Sequence, residues 1–175
     1  MSKMSEFTSW AQIALAIAAI GTVGSLYLSL GLGLKACPLC FYQRTFMMSV
    51  LAVLGVGWLV ERSRGDFLCL LCFPLGVAGL GVAGFHEYLV VAGKLECPGG
   101  ILGLGTAPFQ SLAVFVVLAV VMAAGSMKNW GAIAGSAVLG LALAWSSVAS
   151  APPLPPVPAK PYETPIETCR PPFNR

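Results

Sequence analysis

Five runs of apolar residues, at about 10–34, 41–60, 67–91, 109–125 and 130–148, set the terms for this chain. Each approaches or exceeds the ~20 residues that a helix needs to cross a bilayer. Backbone polar groups in lipid must be satisfied within their own segment, so runs of this length fold as helices. Charge is sparse to match: 57% of residues are hydrophobic and 10% charged, with a mean hydropathy of +0.84. A soluble domain carries roughly 25% charged residues. The expected fold class is therefore all-α, a polytopic membrane protein embedded in the lipid bilayer. The net charge of +3 is small and scattered, which argues against a nucleic-acid partner.

The first apolar run follows a short polar segment, 1–9, and is too long for the core of a cleaved signal, so it reads as a signal anchor. Orientation follows from the basic residues near the spans. With the N-terminus inside, the inner segments carry Lys3, Arg62, Arg64 and Lys128, and the outer ones Lys35 and Lys94, with Arg44 just inside the span. That bias places the N-terminus in the cytoplasm and, after five spans, the tail outside. Cys37, Cys40, Cys97 and Cys169 then fall on the outer side, which in a bacterium is oxidising, and Cys69 and Cys72 at the inner end of the third span.

The densest chemistry lies between the first two spans, in Lys35–Ala–Cys37–Pro–Leu–Cys40–Phe–Tyr–Gln–Arg44–Thr45. A C-x-x-C pair reacts when one thiol is held as thiolate, and a helix N-terminus with a nearby cation does that. Arg44 follows Cys40 by four residues and shares its helical face. An arginine inside a span is costly and usually functional, although near an interface it can snorkel and act as an anchor. The pair could also be a structural disulfide, or half of a zinc site completed by Cys97 and Cys169; no metal is expected. Cys69 and Cys72 form a second C-x-x-C, read as small apolar packing residues. Residues 152–161, PPLPPVPAKP, read as a semi-rigid spacer. At ~3.1 Å per residue the roughly twenty residues after the last span reach about 60 Å, so Cys169 can return to Cys97.

The run Cys37-Pro-Leu-Cys40-Phe-Tyr-Gln-Arg44, opening a second span, resembles the signature of the DsbB family of quinone-linked, disulfide-forming membrane oxidoreductases. His86–Glu87, near the outer end of the third span, resembles a histidine-containing stretch of that family. The resemblance covers about residues 10–121. It implies a four-helix transmembrane bundle over residues 1–126, here followed by a fifth span at 127–149 and a Pro-rich periplasmic tail at 150–175. It implies that Cys40 faces a quinone, ubiquinone or menaquinone, with Arg44 as its partner and His86 as a further cofactor-binding residue. The family normally keeps a second cysteine pair within the loop between its last two bundle helices, whereas this loop holds only Cys97. By that departure, Cys97 is expected to pair with Cys169.

The resemblance implies an enzyme of the bacterial inner membrane. A periplasmic, DsbA-like oxidase of thioredoxin fold arrives reduced, and its electrons pass through Cys97–Cys169 and Cys37–Cys40 to the membrane quinone pool. A mobile loop and tail would suit that exchange. Two rivals stand beside this reading. One is an enzyme like vitamin K epoxide reductase, a family whose loop cysteines precede the C-x-x-C, unlike those here. The other is a non-enzymatic membrane protein with structural disulfides.

Overall fold

The computed structural model describes residues 2–60, 64–126 and 129–173, with side chains from Trp10 onward. The side chain of Lys3, with Arg62 and Lys128, lies outside the described residues, and so does residue 127 at the expected edge of the fifth span. Helix α1 covers Ser2–Leu26 and runs into a wide π turn at Tyr27–Gly31; α2 is Pro38–Val60, α3 Gly65–Val91, α4 Ala107–Gly125 and α5 Trp130–Ala149. All five are long and apolar enough to cross a membrane, and no strand occurs among the described residues. The protein is thus an all-α, multi-pass membrane protein.

Local chemistry sets the helix starts. The Thr106 hydroxyl accepts from Phe109 N–H at 3.3 Å and opens α4, while Asn129 Oδ1 accepts from Ala132 N–H at 3.2 Å and opens α5. Both are N-caps, which satisfy donors that a helix leaves free at its first turn. Short links make successive helices antiparallel. One end of the bundle therefore collects the end of α1, the start of α2, the 92–106 loop and the tail.

Helix α3 is the hub, packed against α1, α2, α4 and α5, and α1 also touches α2 and α4. The four-helix interior is filled by Ala14, Ala18, Val50, Leu54, Phe115, Leu118 and Met122. Lipid tails are as apolar as this core, so association rests on close packing of small residues. Gly79 of α3 receives the ring of Phe115, and Gly140 lets α5 lie flat on α3. A methyl group at 140 would stand 2.6 Å from the Pro74 carbonyl oxygen and 2.6 Å from Val77 Cβ. Neither neighbour is the end of a flexible chain. Gly140→Val is therefore expected to lift α5 off α3 and to cost about 1–3 kcal/mol, the usual range for overpacking. Reversible unfolding in detergent micelles measures this, and an unchanged midpoint would show that α5 does not dock through this face.

Candidate active site

Helix α2 begins at Pro38, three residues before the start expected from hydropathy, and that places Cys40 in its first turn with Cys37 just before it. Pro38 suits a first helical position, where its missing N–H would have had no partner. Cys37 occupies the capping position: its carbonyl accepts from Phe41 N–H at 2.9 Å, and its Sγ accepts from Cys40 N–H at 3.2 Å. The two sulfurs are 2.7 Å apart, both as free cysteines. The hydrogen bond from the Cys40 thiol holds the Cys37 thiol well below its usual range; burial pushes the other way, and His86 adds to the lowering. This geometry takes the first proton of the pair from Cys37, because a helix opening at Pro38 aims a free N–H at that sulfur.

Arg44 is turned toward α1. Its Nε donates to Ser25 Oγ at 2.9 Å, and its Nη2 donates to the Ser25 carbonyl at 2.9 Å and to Ser29 Oγ at 2.5 Å. Ser29 lies in the π turn, a wide turn that often marks functional sites. The two serines stand four residues apart on one face of a largely apolar run. That spacing of polar groups in a span was the signal available in the sequence, and hydropathy alone passes over it.

His86 is completely buried, and the structure seats it against the sulfurs. Its Nε2 lies 3.5 Å from Cys97 Sγ and 3.9 Å from Cys37 Sγ, and its Nδ1 lies 3.1 Å from the carboxamide nitrogen of Gln43. Gln43, buried at 5% exposure, was not singled out from the sequence.

Cys97 and Cys169 form a disulfide across 72 residues of chain. The tail earns this by docking. Glu96 and Arg170 exchange backbone hydrogen bonds at 2.8 and 3.0 Å, and the Arg170 Nε meets Glu96 Oε1 at 2.7 Å. The Arg170 guanidinium lies 3.7 Å above the Tyr162 ring, whose hydroxyl donates to the Pro171 carbonyl at 2.9 Å. Lys35 N–H donates to the Glu167 carbonyl at 2.8 Å. The expected spacer, 152–161, is extended and largely exposed, but Tyr162 and residues 168–173 are half-buried or buried where a mobile end was expected. Cys69 and Cys72 are fully buried in α3, far along the helix from this cluster.

The sulfurs of Cys37, Cys40 and Cys169 and a ring nitrogen of His86 all lie within 4.8 Å of one another. With the Cys169 sulfur committed to a disulfide, the set suits sulfur exchange better than metal ligation. Beside it is a cavity of about 220 Å³, walled by apolar residues of α1, α2 and α4, including Ile20, Met47, Val114 and Phe115. Cys40, Gln43, Arg44 and Cys169 line it, while Cys37 and His86 stand behind.

The family profile described as "Disulfide bond formation protein DsbB" matches residues 7–145. The chain belongs to the DsbB family. It is accordingly a membrane protein of the disulfide-forming kind. Among its relatives, a "probable disulfide formation protein" of Chlamydia trachomatis is 31% identical over 111 residues, covering 57% of this chain and 79% of the relative. A "probable disulfide formation protein C 1" of Bacillus anthracis is 30% identical over 129 residues, 65% of this chain and 86% of the relative. A "disulfide bond formation protein B 1" of Pseudomonas fluorescens is 35% identical over 78 residues, 42% of this chain and 44% of the relative. No solved structure matches the chain. The family match ends at residue 145, so the tail that supplies Cys169 lies beyond it.

Proposed function

We propose that this DsbB-family protein re-oxidises a DsbA-like dithiol oxidase outside the bacterial inner membrane and passes the electron pair through Cys97–Cys169 and Cys37–Cys40 to a membrane quinone. The N-terminus is cytoplasmic and the tail periplasmic in this reading. One observation carries it: two cysteine pairs converge on one buried histidine beside an apolar cavity that Cys40, Arg44 and Cys169 line.

The cavity fits a quinone. Its apolar walls suit a ring and prenyl chain, and Arg44 supplies donors for a carbonyl oxygen. A guanidinium has five N–H groups, and the bonds to Ser25 and Ser29 use only Nε and Nη2. A quinone held there takes up two electrons and two protons. Arg44 fixes a positive charge where negative charge develops, already oriented by α1.

The sulfur chemistry balances in four exchanges. The partner's thiolate attacks Cys97, the Cys97–Cys169 bond breaks, and Cys169 leaves as thiolate. The partner's second thiolate then releases it oxidised, leaving Cys97 and Cys169 reduced. Cys169 next attacks an oxidised Cys37–Cys40 pair at Cys37, Cys40 leaves toward the cavity, and Cys97 closes the outer disulfide again. An outer disulfide with inner free cysteines is the product of that last step, and this is the state of the four sulfurs here.

The test is turnover in nanodiscs. Full-length protein with a reduced thioredoxin-fold dithiol oxidase is expected to consume one ubiquinone-1 or menaquinone analogue per dithiol, followed by quinone absorbance. Dithiol oxidation that proceeds equally without quinone under anaerobic conditions would refute the electron path.

A further inference from the structure

We infer that His86 carries a proton between the two cysteine pairs, and that Gln43 holds its ring in the orientation this requires. The inference rests on the relay proposed above and assigns a step within it. Moving two electrons from an outer dithiol to an inner disulfide also moves two protons, from Cys97 and Cys169 to Cys37 and Cys40. These sulfurs are at most partly exposed, and His86 is wholly buried, so bulk water is a poor carrier at this point.

His86 Nε2 stands between one sulfur of each pair, 3.5 Å from Cys97 and 3.9 Å from Cys37. In the closing exchange Nε2 takes the Cys97 proton. The Cys97 sulfur attacks Cys169, the Cys97–Cys169 bond forms and the Cys37–Cys169 bond breaks. Cys37 leaves as thiolate and receives the proton from Nε2. Donor, acceptor and electron pair all lie within the cluster, and no other reactant is needed.

Nε2 works as a base only if the neutral ring keeps its proton on Nδ1. Gln43 is the residue placed against Nδ1, at 3.1 Å. A half-turn of its carboxamide presents either oxygen or NH₂ there, and with the oxygen facing an Nδ1–H the Nε2 lone pair is free. The titratable groups facing the ring are Cys37 and Cys40 from α2, Cys97 from the loop and Cys169 from the tail. The neighbouring charges are engaged elsewhere, Arg44 with Ser25 and Ser29, and Glu87 with Thr106 at 3.5 Å. Gln43 acts through His86 and is a positioning residue.

The experiment uses oxidised full-length protein in quinone-free nanodiscs, mixed with reduced dithiol oxidase. Acid quenching, alkylation and peptide mass spectrometry then report which pair holds the thiols at each time and pH. His86→Asn is expected to slow inner-pair reduction about 100-fold, the low end for lost acid–base catalysis. Gln43→Glu keeps an oxygen acceptor and adds a negative charge, which raises the basicity of Nε2. It should retain the rate and move the pH midpoint upward, a readout that a purely packing role would not shift and that survives if His86→Asn misfolds. Wild-type rates and an unshifted profile in both variants would overturn the inference. Wild-type protein whose inner pair never becomes reduced would instead overturn the relay.

Discussion

Replacing Cys169 with serine is expected to stop turnover with a dithiol oxidase, by at least about three orders of magnitude, as for loss of a nucleophile. The reason is covalent. Without Cys169 the partner has no outer disulfide to attack, and Cys97 is left as a lone thiol beside His86. The five helices pack on one another through their own faces, so the fold should persist. The discriminating control is a small dithiol such as dithiothreitol, which can reach Cys37–Cys40 without the outer pair. Quinone reduction by dithiothreitol should survive in Cys169→Ser while oxidase-driven reduction vanishes. If the variant turned over the oxidase normally, Cys169 would be a structural cysteine and Cys97 would pass electrons unaided.

The second large effect is expected at Arg44. Arg44→Met should slow quinone reduction about 100-fold or more, the loss seen when one preorganised donor to a developing oxyanion is removed. Its neighbours tolerate the change, because Ser25 and Ser29 can return their hydroxyls to carbonyls of their own helix. Reduction of the inner pair by the outer pair should be slowed far less, since the hydrogen bonds of Arg44 go to Ser25 and Ser29 of the first helical run and not to the reacting sulfurs. Stopped-flow quinone absorbance with single-turnover disulfide mapping separates the two steps. Slowing of both together would mark Arg44 as a support for the helix pair and not as a group that acts on the acceptor.

What the sequence disclosed and what it withheld divide along a physical line. Span length and the Cys37–Arg44 motif are local, and both are legible, because hydropathy over twenty residues and a fixed spacing need no partner to be read. The contacts that give the site its chemistry are between segments. Gln43 sits inside the motif, yet its role depends on α2 starting at Pro38, which sets the angle at which Gln43 faces α3. Hydropathy favours Phe41 as the start, and capping by a cysteine sulfur leaves no strong mark. Ser25 and Ser29 read as small residues in an apolar run until Arg44 is opposite them. The tail reads as a spacer because proline is frequent; its far part docks through Tyr162, Glu167 and Arg170, each of which is unremarkable alone.

The tail's disulfide also makes the molecule a covalent loop that opens and closes with its own chemistry. Suppose a protease cuts once in the exposed stretch between Ala151 and Lys160. While the bond between Cys97 and Cys169 is intact, the severed peptide stays attached; once an incoming dithiol opens that bond, only the Glu96–Arg170 pairing and a few further contacts retain it. A nicked molecule thus keeps or sheds its last residues according to its oxidation state. One engineered cleavage site there would turn electron occupancy into a fragment that can be seen on a non-reducing gel.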